Sequence, residues 1–283
     1  MQSPKYLPVI KPEYADKLDW FWLSTHPKLI PILEENQDKV DWAGLNLNPN
    51  AVPILEEMLE ESEYNADWYG LSANPNAMHI LEKYQHRIRW DAISENPNAM
   101  SFIEKNLKKV NWMHLSENPN AVSILEKHPD KISWYFLSAN PNAMDLLKKN
   151  LDKVDWGMLS KNPNATDLLE QNLEKIDWCM LATNPNAMHL FEKYPDKIHW
   201  YWLSTNPNAV DLLKKNLDKI DLNMLSQNPN IMEIICDLDY DAMKQSMQPL
   251  AEELTACVFH PLRMNRIAEQ YNISFDELIS DIY

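Results

Sequence analysis

Glycine is nearly missing from this chain: Gly44, Gly70 and Gly157 are the only three in 283 residues. So few freely rotating backbone positions argue against a turn-rich β protein and against a glycine-built phosphate loop. Cysteine is equally scarce. Cys179, Cys236 and Cys257 show no metal-ligand spacing, and an odd count suits a reducing compartment better than a disulfide framework. Basic residues are outnumbered, 26 Lys and Arg against 42 Asp and Glu, for a net charge of −16. A chain of that sign repels phosphate backbones, so no nucleic-acid partner is expected. No stretch approaches the ~18 apolar residues of a membrane-spanning helix. The opening segment, MQSPKYLPVIKPEY, lacks the apolar run of a signal peptide. The expectation is a cytoplasmic protein without a membrane partner.

What the chain has in abundance is period. Tryptophan recurs at Trp20, Trp42, Trp68, Trp90, Trp112, Trp134, Trp156, Trp178 and Trp200, and Leu222 takes the tenth turn. Every interval is 22 residues except Trp42 to Trp68, which is 26. Seven residues after each stands a proline, usually within Asn-Pro-Asn-Ala, as in Asn140–Pro141–Asn142–Ala143. A fixed short period of this kind predicts a solenoid, in which stacked units share one continuous core.

With the tryptophan as position 1, each unit reads as two short helices. Position 22, just before it, is a helix N-cap type in eight of ten cases: Asp19, Asp41, Asp67, Asn111, Ser133, Asp155, Asp177 and Asp221. Such side chains accept from the first free N–H groups, so helix A is predicted over positions 1 to 6, with Trp and the position-4 Leu or Ile turned inward. The Asn at position 7 is expected to cap helix B and the Pro at position 8 to occupy its first turn. Ala at position 10 and apolar residues at 11, 13 and 14 supply its buried stripe. Asn at position 17, as in Asn106 and Asn150, is expected to end helix B in a left-handed conformation. The fold class is therefore all-α: a right-handed α-solenoid of about ten 22-residue two-helix repeats with a helical C-terminal cap. Residues 1–19 read as an N-terminal cap, 20–235 as the solenoid and 236–283 as the C-terminal cap. At packed-helix spacing a ten-unit stack would be roughly 80–100 Å long. The first unit is degenerate, with His26–Pro27–Lys28–Leu29 in place of Asn-Pro-Asn-Ala, which is expected where an end unit meets water. The extra four residues of unit 2 fall in Glu56 to Asp67 and form an acidic knob, read as a solvated insertion.

Catalytic, cofactor-binding and metal-binding residues are not found. His79 and His189 share a repeat phase five units apart and are read as polar positions on the outer face of helix B; His114 and His128 lack a third ligand. Serine recurs at position 5, from Ser24 to Ser226. A nucleophile would not be copied eight times, and a hydroxyl bonded to backbone near the A–B corner explains it. The tryptophan column is read as a core ladder. The chain is not expected to be an enzyme.

Variation is concentrated at positions 2 and 3, where aromatic pairs return in units one, six and nine. Phe21, Trp22, Tyr69, Tyr135, Phe136, Tyr201 and Trp202 are the candidate partner-binding surface, since aromatics anchor protein interfaces. The expected function is a non-enzymatic helical-repeat scaffold for protein–protein interaction. The alternatives are a structural or virion-associated component and, further off, a nucleic-acid reader.

The Trp–Leu-Ser–Asn-Pro-Asn-Ala unit resembles the arrays of uncharacterised repeat proteins of giant, nucleocytoplasmic large DNA viruses. The tail segment PLAEELTACVFHPLRMNRI, with His260, Pro261 and Arg263, is similar to the C-terminal segment of that family. The Asn-Pro core also resembles bacterial variant leucine-rich repeats, whose pattern lacks the tryptophan. The viral resemblance implies a protein acting in the host cell cytoplasm, or packaged in the virion, and supplies no catalytic residues.

Overall fold

A computed structural model of the protein describes residues 8–10, 14, 17–61 and 66–238. The chain divides into two compact units, Ile10–Cys236 and a second made of Met1–Val9 with Asp237–Tyr283. The first holds the whole repeat array, and it is an α-helical solenoid. The expected N-terminal and C-terminal caps lie largely outside the described residues. What is described there is a pair of short strands, β1 (Pro8–Ile10) and β2 (Cys236–Leu238), bonded to each other.

Helix A forms where the sequence places it. It spans Trp20–Thr25, Trp42–Leu47, Trp68–Ala73, Trp90–Glu95, Trp112–Glu117 and Trp134–Ala139, and shortens to four or five residues in the last four units. The carboxylates of Asp19, Asp41, Asp67, Asp155, Asp177 and Asp221 and the amide oxygen of Asn111 accept from first-turn N–H groups. Ser133 makes no such side-chain bond. Position 4 is the core: Leu71, Ile93, Leu115, Leu137, Leu159, Leu181, Leu203 and Leu225 are fully buried, as are Ala77, Ala99, Ala121, Ala143 and their equivalents at position 10. Helix A of each of the first eight units packs on helix A of the next.

Three expectations change in detail. Asn-Pro-Asn-Ala does not begin helix B; it forms a turn, or a short 3-10 segment as at Pro97–Ala99, and helix B starts at position 11, as in Met144–Lys148. Position 17 does not turn left-handed: Asn172 and Asn216 have φ of −139° and −137°. Their amides donate instead to the carbonyl four residues earlier, Leu168 and Leu212, at 2.9 Å, which satisfies an end carbonyl of helix B without backbone strain. The tryptophans are not the centre of the core. They are half-buried against it, and Trp42 is 53% exposed. Helix A is too short to bury two full turns, so the Leu at position 4 takes the interior and the ring lies along its margin.

The junctions between units are polar and buried. Each position-7 Asn is fully buried and donates from one Nδ2 to two carbonyls of the preceding unit. Asn140, for example, reaches the oxygens of Ser116 at 3.0 Å and Asn118 at 2.8 Å, while its own Oδ1 accepts from the Asn142 N–H at 2.9 Å. The position-9 Asn adds a third bond, Asn142 Nδ2 to the carbonyl of Pro119 at 2.9 Å. The position-5 Ser hydroxyl donates to the carbonyl of its own Trp and accepts the position-22 N–H that opens the next unit, as Ser138 does with Trp134 and Asp155. The serine therefore ties units together, beyond the corner role expected of it. A buried amide with every polar atom satisfied is directional in a way that apolar packing is not, and it fixes the register of each unit on the next.

The same bonds join the last unit to the first. The Asp19 N–H donates to Ser226 Oγ at 3.0 Å, and His26 Nε2 lies 2.7 Å from the Ser226 carbonyl. Ser226 is position 5 of unit 10, Asp19 precedes unit 1, and His26 is position 7 of unit 1. These are the ladder contacts of any consecutive pair, made across 207 and 200 residues of sequence. The solenoid is closed. An open stack is thereby replaced by a ring of ten units, and the degenerate first unit is a junction, not an end. The seam is the leanest junction: Lys28 stands where position 9 is otherwise Asn, and a single imidazole bond replaces the two of an amide.

Candidate functional site

Closure gives helix A an inner face. Lys161 Nζ reaches Glu117 Oε1 at 2.7 Å. Both are at position 6, with the whole of unit 6 between them. A lysine can span that gap only where position 6 lies on the concave side, where neighbouring units converge. Positions 2 and 6 share one side of a helix, so position 2 turns to the same interior.

Of the candidate surface residues, Tyr69, Tyr135 and Tyr201 are exposed, at 41%, 53% and 44%. All three are position 2, in units 3, 6 and 9, and they are spread around the ring at intervals of three units. Phe21, Trp22, Phe136 and Trp202 are half-buried. The aromatic pairs pack edge to face: Phe21 with Trp22 at 5.1 Å, Tyr135 with Phe136 at 5.2 Å and Tyr201 with Trp202 at 5.0 Å. The position-3 ring thus buttresses the position-2 ring, and Trp202 also packs on the core. Met113, also at position 2, is 52% exposed and belongs to the same surface. Its membership follows from its position, which a search for aromatics alone passes over.

Acidity on this face is local. Asp91 at position 2 and Glu95 and Glu117 at position 6 occupy adjacent units 4 and 5, and a hollow of about 190 Å³ is lined by Glu95, Glu117 and Asn118. Burial, and then the charges of Glu95, Asp91 and Asp67, push the Tyr69 phenol above its ordinary range. His114 bonds Glu95 and stacks on Phe136 at 6.0 Å. The result is an aromatic rim with one negative sector.

Catalytic chemistry finds little to work with on the described residues. No group of three His, Cys, Asp or Glu side chains there could hold a metal ion. The position-5 serines are fully buried, and the hydroxyls of Ser24, Ser72, Ser94, Ser116, Ser138, Ser160 and Ser204 each donate one bond and accept another. His79 and His189 do lie on the outer side of helix B, bonded to Glu56 and Glu170 of the preceding unit at 2.8 and 2.5 Å. Cys179 is a free thiol, raised by burial and by Asp177, hence a poor nucleophile. No described helix is long and apolar enough to cross a membrane. No protein-family model, curated protein or solved structure matches the chain.

Proposed function

We propose that the ring is a non-catalytic scaffold that binds a protein segment on its inner face. The supporting observation is the set of exposed tyrosines at one repeat position, Tyr69, Tyr135 and Tyr201, where every other recurring side chain is absorbed by core or ladder. A tyrosine held by an edge-packed neighbour, as Tyr135 and Tyr201 are, offers large contact area at small entropic cost, the property that makes aromatics interface anchors. Asp91 and Glu95, beside the Lys161-paired Glu117, favour a segment with basic residues facing unit 4. The resemblance to giant-virus repeat proteins adds a setting, the cytoplasm of an infected cell.

Photo-crosslinking tests this reading. A benzoylphenylalanine at position 135 should capture a distinct protein from cells expressing the chain, and the same group in place of Glu35, on helix B, should not. Equal capture at both positions contradicts the reading. Capture of only a second copy of the chain replaces it with self-assembly.

A further inference from the structure

Among the described residues, the tryptophan column holds one exception. In the other units a side chain of the same unit covers the indole. Lys39 lies over Trp20 at 5.4 Å, Lys109 over Trp90 at 5.0 Å, Lys153 over Trp134 at 4.8 Å, Lys175 over Trp156 at 4.3 Å and Lys219 over Trp200 at 4.7 Å. All five lysines are position 20. Where position 17 is aromatic it covers the ring instead, with Tyr84, His128 and Tyr194 at 5.3, 5.2 and 5.5 Å from Trp68, Trp112 and Trp178. Trp42 has neither cover among the described residues. Its unit places Met58 at position 17 and Glu61 at position 20.

The four-residue insertion is the cause. In unit 2 helix B runs on for ten residues, Val52–Glu61, through the positions that elsewhere leave the helix and fold back over the indole. Beside the uncovered ring opens a pocket of about 230 Å³, lined by Ile30, Leu33, Val40, Leu45 and Ile54, with Glu34 as the one acid in its wall. The corresponding groove of unit 4, bounded by Trp90 and Phe102, has Lys109 in its lining.

We propose that Trp42 and the pocket beside it bind a lysine side chain of a partner protein, which takes in trans the place that position-20 lysines fill in cis. Three features fit that occupant. An indole face attracts an ammonium group, more strongly where water is partly excluded. Apolar walls suit the four-methylene stem of lysine, which packs along apolar surface while its charged end stays outside. Glu57 and Glu60, exposed on the helix that carries Ile54, complement a basic segment and disfavour an acidic one.

The site is separate from the inner-face tyrosines, and its test keeps the two apart. The probe is an acetylated lysine–alanine hexapeptide, with its Nε-acetyl-lysine counterpart as the uncharged control. Binding is followed through the indole N–H resonance that disappears in Trp42→Leu. The lysine peptide should move that resonance more than the other indoles, with acetylation weakening binding at least ~5-fold, within the range of cation–π interactions. Trp42→Leu should weaken binding by about 10-fold. Trp42→Phe should retain part of the affinity. Because Trp42 is half exposed, these variants should unfold at the wild-type urea midpoint to within about 0.5 M. A combined Tyr69→Ser, Tyr135→Ser and Tyr201→Ser variant should bind the peptide as wild type does, whether or not the inner-face reading holds. Equal binding of the acetylated peptide, or wild-type affinity in Trp42→Leu, would overturn the proposal.

Discussion

Replacing Asn140 by Ala cuts the ladder between units 5 and 6 without touching the apolar core. The substitution removes two donated bonds, to the Ser116 carbonyl at 3.0 Å and the Asn118 carbonyl at 2.8 Å, and one accepted bond from Asn142 N–H at 2.9 Å. The consequences differ by group. The Asn118 carbonyl keeps the Ala121 N–H at 3.1 Å, and the Asn142 N–H lies on an exposed residue where water can replace the amide. The Ser116 carbonyl is buried. One buried orphan costs about 1–3 kcal/mol, and each exchanged bond about 0.5–1.5 kcal/mol. With two bonds exchanged, the sum is about 2–6 kcal/mol. Asn142→Ala, which forfeits only the exposed bond to Pro119, should cost about 0.5–1.5 kcal/mol. Asn140→Asp keeps the acceptor but sets a carboxylate against two carbonyl oxygens, so at pH 7 it should be at least as damaging as alanine. Urea unfolding followed by circular dichroism at 222 nm reads all three. If Asn140→Ala costs less than about 1 kcal/mol, or no more than Asn142→Ala, the ladder does not hold the units together.

Two further outcomes follow from the junctions. Burial holds His26 below its ordinary pKa of 6.5, against the smaller opposing effect of its bond to Ser226. Above 6.5 the ring is neutral folded or unfolded. As pH falls below that value the unfolded chain takes up a proton that the buried ring resists, so stability is lost as pH drops through the folded pKa. His26→Asn should remove that slope in a comparison of urea midpoints at pH 7.5 and 5, and a slope unchanged in the variant would place its origin elsewhere. At the next junction, a methyl group added at Gly44 would meet the Phe21 carbonyl oxygen at 2.3 Å. Gly44→Ala should cost about 1–3 kcal/mol through that collision with backbone. At Gly157 the nearest atoms are the carboxylates of Asp155 and Asp177, at 3.3 and 3.9 Å; Gly157→Ala should be neutral or gain up to about 1 kcal/mol from helix propensity. Equal losses at the two sites in thermal melts would contradict the packing assigned to unit 1 on unit 2.

The local grammar was legible because short-range physics writes it. Asp before Trp caps helix A, Leu at position 4 fills the core, and Ala at position 10 lets units approach, each readable from spacing. The tryptophan was misjudged because periodicity identifies a repeated role without saying how deep it sits. The amide ladder also left a trace. Capping alone would admit Asp, Ser or Thr at position 7, yet every unit from the second to the tenth has Asn there, and only an amide both accepts and donates. The exception, His26, is another side chain with an N–H to give. Reading the first unit as an end that meets water passed over that trace of a neighbour on its far side. Closure itself depends on a small angle accumulated over ten junctions, which no single residue encodes. The position-2 tyrosines were found from their chemistry, whereas their common inward direction required the ring.

Closure is tested most directly by a distance across the seam. Glu35 and Glu233 are exposed residues on helix B of units 1 and 10. Spin labels on Glu35→Cys and Glu233→Cys, in a chain whose native cysteines are serine, report their separation by double electron–electron resonance. A closed ring predicts a single population below about 30 Å, the spacing of adjacent units plus two label arms. An open stack would separate the labels by nine junctions, on the order of 80 Å, and that result would contradict the ring.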